Sequence, residues 1–324
     1  MMHENKKEEA HRSVTTINNM GVHNTCFIHW LSFVVPEIIN IVTIINRILG
    51  LKCEDFIEYN NGINGYTTSF KHSFLEVCIY KNTNMPNMGN FIEIKGSACE
   101  LIQNDIYRIC SKVKKHLGKF SRIDIAVDDY DGVLDIHKIY KSSKHGDWSG
   151  KFRKTSQIES NNSKGDDYGK TITFGSRRSN TFLRIYDKGK QEKSPKHWIR
   201  CELELKKQNA QNLISLLLDG IDLREIYFGI LRNYINFKIA SSDTNKSRWK
   251  IEPWWESFIG DINKIKIGSP PKKQTIEGRM DWIINQCSLT FYELHQEYGI
   301  SLYHQLLKVG AEKQMRKKSR IALT

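Results

Sequence analysis

Tyr186 stands in the segment Phe182-Leu183-Arg184-Ile185-Tyr186-Asp187-Lys188 with a cation two positions away on either side. Carboxylates recur in two other segments: Asp124 in Arg122-Ile123-Asp124-Ile125-Ala126-Val127-Asp128, and Glu202 and Glu204 in Ile199-Arg200-Cys201-Glu202-Leu203-Glu204-Leu205. A phenol can attack phosphorus and be held as a covalent phosphotyrosine. Aspartate and glutamate are the hard oxygen donors that Mg²⁺ or Mn²⁺ takes, and such an ion polarises phosphoryl oxygens. Arg184 and Lys188 would hold phosphate or lower the phenol pKa. Together these are the parts needed to attack a phosphodiester. Strand by strand, the same residues also read as the solvated side of a half-buried strand, and only their combination favours a site.

The elements that must position them follow from period. Side chains alternate across a strand, and strict apolar–polar alternation predicts strands over Phe91–Lys95, Arg122–Asp128, Thr171–Gly175, Phe182–Lys188 and Trp198–Leu205. In the three charged segments one face is apolar (Ile123, Ile125, Val127; Leu183, Ile185; Ile199, Cys201, Leu203, Leu205) and the other carries Arg122, Asp124, Asp128, Arg184, Tyr186, Lys188, Arg200, Glu202 and Glu204. One antiparallel sheet would bury the first set under helices and gather the second on one plate. Helical spacing appears at Glu37–Leu49, Asn209–Leu218 and Arg279–Leu307. The Ser/Asn/Asp-rich stretch Lys151–Lys170 reads as a loop, and Gly268–Lys273, with Pro270 and Pro271, as a linker. The expected class is α+β, with a central antiparallel sheet backed by helices and a helical C-terminal extension. The expected division is a tail over 1–25, a main domain over 26–268 and the extension over 269–324.

The chain has 324 residues, with 49 Lys and Arg against 36 Asp and Glu, a net charge of +13 that suits a polyanionic partner. The most apolar stretch, Cys26–Gly50, is broken by His29, Pro36, Glu37 and Arg47, so it does not read as a membrane span. The polar first residues lack a secretory signal, and the seven scattered cysteines show no zinc spacing, so a reduced, cytoplasmic protein is expected.

Gly169–Glu204, reading GKTITFGSRRSNTFLRIYDKGKQ and then WIRCELELK, resembles the core of the replication-initiation-factor family, which includes rolling-circle plasmid initiators and related relaxases of integrative conjugative elements. Trp30-Leu31-Ser32-Phe33, Phe91–Glu100, Arg122–Asp128 and Leu231–Phe237 extend the likeness over most of the chain. The resemblance implies a site-specific single-strand endonuclease and strand transferase with an HUH-like fold. It makes Tyr186 the nucleophile, with Mg²⁺ or Mn²⁺ on Asp124 and Glu202 or Glu204. No His-x-His pair occurs, so carboxylates must supply the ligands; His197 reads first as a surface histidine and second as a contributor. His29 stands where the family leads us to expect an acidic residue.

For DNA contact, Lys151, Arg153 and Lys154 combine cations with Phe152, and Arg177 and Arg178 sit on a Gly175–Ser179 hairpin turn. Trp249, Trp254 and Trp255 read as helix-packing residues. Lys313, Arg316, Lys317, Lys318 and Arg320 at the C-terminal end suit the helix dipole, or a duplex- or helicase-contacting appendage. Expected partners are origin DNA, a helicase and a second copy in a homodimer. The alternative is a DNA-binding or regulatory protein that kept the fold and lost the chemistry.

Overall fold

Every strand that alternation picks out lies in one sheet of the computed structural model, which describes residues 25–161, 163, 167–267 and 276–321. The strands are β1 (Thr25–Val35), β2 (Phe56–Tyr59), β3 (Thr68–His72), β4 (Val77–Lys81), β5 (Asn90–Lys95), β6 (Lys119–Asp129), β7 (Trp148–Gly150), β8 (Thr155–Asn161), β9 (Asp167–Gly175), β10 (Thr181–Asp187), β11 (Ile199–Lys206) and β12 (Ile235–Phe237). Ten of them form a sheet in the order β2-β3-β4-β5-β1-β6-β11-β10-β9-β8, while β12 pairs with β7. All pairings are antiparallel. The chain is therefore α+β, with a central antiparallel sheet backed by helices and with helices at its C-terminal end.

One face of the sheet is the core. Ile123, Ile125, Leu183, Ile185, Leu203 and Leu205 are fully buried, together with Leu213, Ile214, Tyr227 and Phe228 from the helices Gln208–Leu218 and Leu223–Tyr234. Each such side chain contributes about 1.5–3 kcal/mol by leaving water. Tyr227 also ties its helix to the sheet by donating its hydroxyl to the Cys201 carbonyl at 2.8 Å. Trp255 is buried among Phe237 and Phe258, and Trp254 packs on Phe237, as helix-packing tryptophans do. All seven cysteines are free. Among the described residues no helix is long and apolar enough to cross a membrane.

Several boundaries differ from the sequence expectation. Part of the expected loop Lys151–Lys170 is strand β8, an edge strand held by backbone pairing to β9. Its polar side chains are mostly exposed, so no hydrophobic alternation announced it. The expected helix Glu37–Leu49 begins only at Ile41, where Asn40 caps the Thr43 N–H, and continues as a π-helix over Ile44–Leu49. The helical spacing over Arg279–Leu307 is carried by two helices, Ile276–Tyr298 and Ser301–Ile321, with a break at Gly299, whose φ of +54° ends a helix without a Cβ penalty. The chain separates into two units, Met1–Gly268 and Ser269–Thr324. Of the expected tail over 1–25, Thr25 already opens β1, while residues 1–24 and the linker Gly268–Lys273 lie outside the described residues.

Candidate functional site

The second face of the sheet gathers the charged set on four adjacent strands. Register places Glu204 opposite Asp124, Glu202 opposite Ala126 and Arg200 opposite Asp128 between β11 and β6. Between β10 and β11, Arg184 faces Glu202 and Tyr186 faces Arg200. On β1 the pairing with β6 shifts between Ile28 and Trp30. The extra residue in this bulge is His29, and a bulge re-aims its side chain. Its Nδ1 comes within 3.7 Å of Glu202 Oε1.

This face is a desolvated layer. Asp124, Glu202 and Glu204 are 0%, 2% and 3% exposed, which charged groups tolerate only when paired. Arg122 grips Asp124 through two bonds of 2.8 and 2.6 Å and also reaches Glu204 at 2.8 Å. Lys206 pairs with Glu204 as well. Arg184 donates to Glu202 and lies 3.6 Å from Asp124. Beside them Arg200 and Asp128 form a fully buried fork of 2.7 and 2.8 Å.

Tyr186 is 8% exposed, and its hydroxyl donates to Glu202 Oε2 at 3.1 Å. Burial, and then the Glu202 charge, push the phenol pKa up from its ordinary value. Burial would also raise Glu202, but His29 and Arg184 outweigh it and hold that carboxyl low, at about 2. Asp124 goes the other way, to about 7: burial raises it, and the neighbouring Glu202 and Glu204 add to that against Arg122. Arg122 itself is held protonated by Asp124 and Glu204 despite burial. The two shifts are compatible, because Glu202 has both Arg184 and His29 to hold its charge, whereas Asp124 shares Arg122 with Glu204 and is not fully compensated. The result is one low and one raised carboxyl within hydrogen-bonding reach of each other, with a phenol on the low one.

Not every expected residue joins them. Strand β10 ends at Asp187, which caps the short helix Lys188–Gln191 by accepting from the Lys190 N–H. Lys188 therefore leaves the strand face of Tyr186 and pairs with Glu192. Glu204 is spoken for by Arg122 and Lys206, whereas Glu202 is the glutamate at Tyr186. His197 lies 3.4 Å from Asp129, away from Glu202. Lys151, Arg153 and Lys154 line a separate cavity beside the β9–β10 turn that carries Arg177 and Arg178. Sequence reasoning set His29, Asp128 and Arg200 aside. Arg200 and Asp128 were visible on the charged faces, but only the strand register makes them a pair.

As the side chains stand, no group of three or more His, Cys, Asp or Glu among the described residues is arranged to hold a metal ion. The guanidinium groups of Arg122 and Arg184, the Lys206 ammonium and the Tyr186 hydroxyl occupy the oxygens that would do so. The donor chemistry of Asp124 and Glu202 nevertheless suits a hard divalent cation: two carboxylates lie close together, and burial beside like charge has raised one of them, which is where added positive charge is stabilised.

The replication initiation factor family model (Rep_trans) matches residues 118–305, more than half of the chain. The chain belongs to the replication initiation factor family. A second model, the rolling circle replication initiation protein N-terminal domain, matches residues 25–122 of this initiation factor. A protein described as DNA relaxase NicK, from Bacillus subtilis (strain 168), is 29% identical over 264 residues, covering 76% of this chain and 74% of that protein. The solved rolling circle replication initiator protein from Geobacillus stearothermophilus aligns with a TM-score of 0.67 at 27% identity, covering 76% of this initiation factor and 100% of that chain. The family places the chain among rolling-circle initiators and relaxases, proteins of DNA replication and nicking.

Proposed function

We propose that this chain nicks origin DNA through Tyr186, leaving a 5′-phosphotyrosine and a free 3′-OH that primes rolling-circle replication or begins conjugative transfer. The observation that supports this most is the Tyr186 hydroxyl on Glu202, with Arg184 and Asp124 alongside. The phenol oxygen attacks phosphorus, and its proton passes toward Glu202 as the new P–O bond forms. The P–O3′ bond breaks and the 3′-oxygen takes up a proton. A carboxylate held near 2 is a weak base, so Glu202 acts first by aiming the phenol oxygen. Arg184, a quarter exposed at its edge, is placed to meet the charge that builds on the phosphoryl oxygens. Asp124 and Glu202 would hold Mg²⁺ or Mn²⁺, which when bound polarises a phosphoryl oxygen. Reversal of the same step rejoins the strand.

On this reading origin DNA is the partner, and a helicase contact and a homodimer rest on the family likeness alone. The test incubates the protein with supercoiled DNA carrying its origin, in Mn²⁺ or EDTA, for wild type and Tyr186→Phe. Relaxed product and a covalent adduct that vanish together in the variant are expected. Binding without cleavage in Mn²⁺ would support instead a catalytically degenerate DNA-binding protein, and nicking that survives Tyr186→Phe would move the nucleophile elsewhere.

A further inference from the structure

At the end of β10 remote from Tyr186 lies a cavity of about 450 Å³ between the Lys151–Lys154 segment and the β9–β10 turn. Five strand positions separate Thr181, on its wall, from Tyr186, about 17 Å along the strand. Lys151, Arg153 and Lys154 line it, Asn180 and Asn209 add amides, and no acidic side chain does. Among the described residues no carboxylate pairs with these three cations, or with Arg177 and Arg178 on the adjoining turn. In the Tyr186 layer, by contrast, every cation is matched. The cavity also has an aromatic wall. Tyr234 is half-buried, with the Lys151 ammonium 5.1 Å over its ring, and Phe152 closes behind it at 5.3 Å. Gly175, at φ +93°, lets Phe152 approach, since a Cβ there would stand 3.0 Å from the ring.

We infer that this cavity holds one unpaired nucleotide of the strand that Tyr186 cuts, its base against Tyr234 and its phosphates on Lys151 and Lys154. Unmatched cations beside an aromatic face are the chemistry that single-stranded DNA is held by. The concavity favours an unstacked nucleotide over a duplex, whose phosphates lie on a convex surface. A volume of this order is that of a small-ligand site. The inference rests on the nicking reading for its choice of ligand. It deepens that reading by giving the strand a second hold about three nucleotides from the scissile phosphate, on the order of 6 Å per nucleotide of extended backbone.

The test measures anisotropy of a fluorescein-labelled oligothymidylate of about 12 nucleotides on the full chain, across a salt series, for wild type, Lys154→Gln, Lys151→Gln/Lys154→Gln, Tyr234→Ala and Tyr234→Phe. Each lysine that neutralises a phosphate should lower the slope of log K against log salt by about 0.7. Tyr234→Ala should weaken binding about tenfold with the slope unchanged, and Tyr234→Phe should restore it, because stacking needs the ring alone. Generic attraction to a basic surface would not respond to the uncharged Tyr234 change. Unchanged affinity in Tyr234→Ala, unchanged slopes in the lysine variants, or an equal loss on a hairpin duplex would overturn the inference. If wild type nicks and forms its adduct while these variants bind as wild type does, the cavity fails and the Tyr186 reading stands. If wild type binds no oligothymidylate, the cavity inference fails, and the Tyr186 reading is decided by the nicking of origin DNA.

Discussion

Tyr186 and Glu202 sit on neighbouring strands, β10 and β11, as diagonal neighbours on one face, since Tyr186 lies opposite Arg200 and Glu202 opposite Arg184, and they are joined by a 3.1 Å hydrogen bond from phenol to carboxylate in a nearly water-free layer. The same Glu202 is held by Arg184 and approached by His29, so its second oxygen is already committed and its geometry fixed. On the nicking proposal, this fixed carboxylate is what aims the phenol oxygen.

Removing the Tyr186 hydroxyl should cost little in folding and everything in chemistry. Tyr186→Phe leaves one oxygen of the buried Glu202 without its donor, a loss of about 1–3 kcal/mol, and keeps the ring. Urea melts should place it within that range of wild type while nicking falls to background. A variant that fails to fold would show the hydroxyl to be chiefly structural.

Arg184→Gln should destabilise more than a surface change. It leaves Glu202 and Asp124 buried without one of their shared cations, and breaking a buried pair from one side costs about 3–5 kcal/mol. Nicking should drop about 100- to 1000-fold if Arg184 also meets the phosphoryl charge. Comparing binding of a nick-site oligonucleotide with its cleavage rate separates the two effects, since a purely structural role lowers both together.

The buried Arg200–Asp128 fork predicts strong non-additivity. Asp128→Leu strands a buried guanidinium, and Arg200→Leu a buried carboxylate, each costing about 3–5 kcal/mol, whereas the double Asp128→Leu/Arg200→Leu should recover most of that loss. Denaturant midpoints of the two singles and the double check it; additive losses would mean the pair is not coupled.

The pH dependence of stability follows from Asp124. Its folded pKa, about 7, lies above the unfolded value of about 3.9. The folded state therefore binds the proton more tightly, and stability from this group falls as pH rises from about 4 to 7. Glu202, held near 2, works in the opposite sense and contributes stability present above about 4.5 and lost as pH falls toward 2. Unfolding free energies of wild type and Asp124→Asn at about pH 5 and pH 8 should differ by a wild-type loss of a few kcal/mol on going to pH 8 that the variant lacks. Parallel curves would show Asp124 ionised throughout.

Much of this was legible in the residues. Strict alternation located β5, β6, β10 and β11, and it sorted Asp124, Glu202, Arg184 and Tyr186 onto one face before any coordinates, because burial of one side forces period two. What alternation cannot do is count extra residues or end a strand. The bulge at His29 and the helix start at Lys188, capped by Asp187, decide which side chains meet Tyr186, and neither has a hydrophobic signal. Strand β8 stayed hidden for a related reason: at a sheet edge the backbone does the pairing and the side chains remain polar. The choice between Glu202 and Glu204 was likewise closed to sequence, since both lie on the same face and only the cross-strand partners, Arg184 and Phe182 on β10, tell them apart.

The most direct measurement of the central claim is to trap the adduct and map it. Wild-type protein is incubated with origin DNA and Mn²⁺, digested with nuclease and trypsin, and analysed by mass spectrometry. The account predicts a nucleotide phosphate on the peptide Ile185–Lys188, bounded by Arg184 and Lys188, with fragmentation placing it on Tyr186. A nucleotide on any other tyrosine, or efficient nicking with no adduct at all, would contradict it.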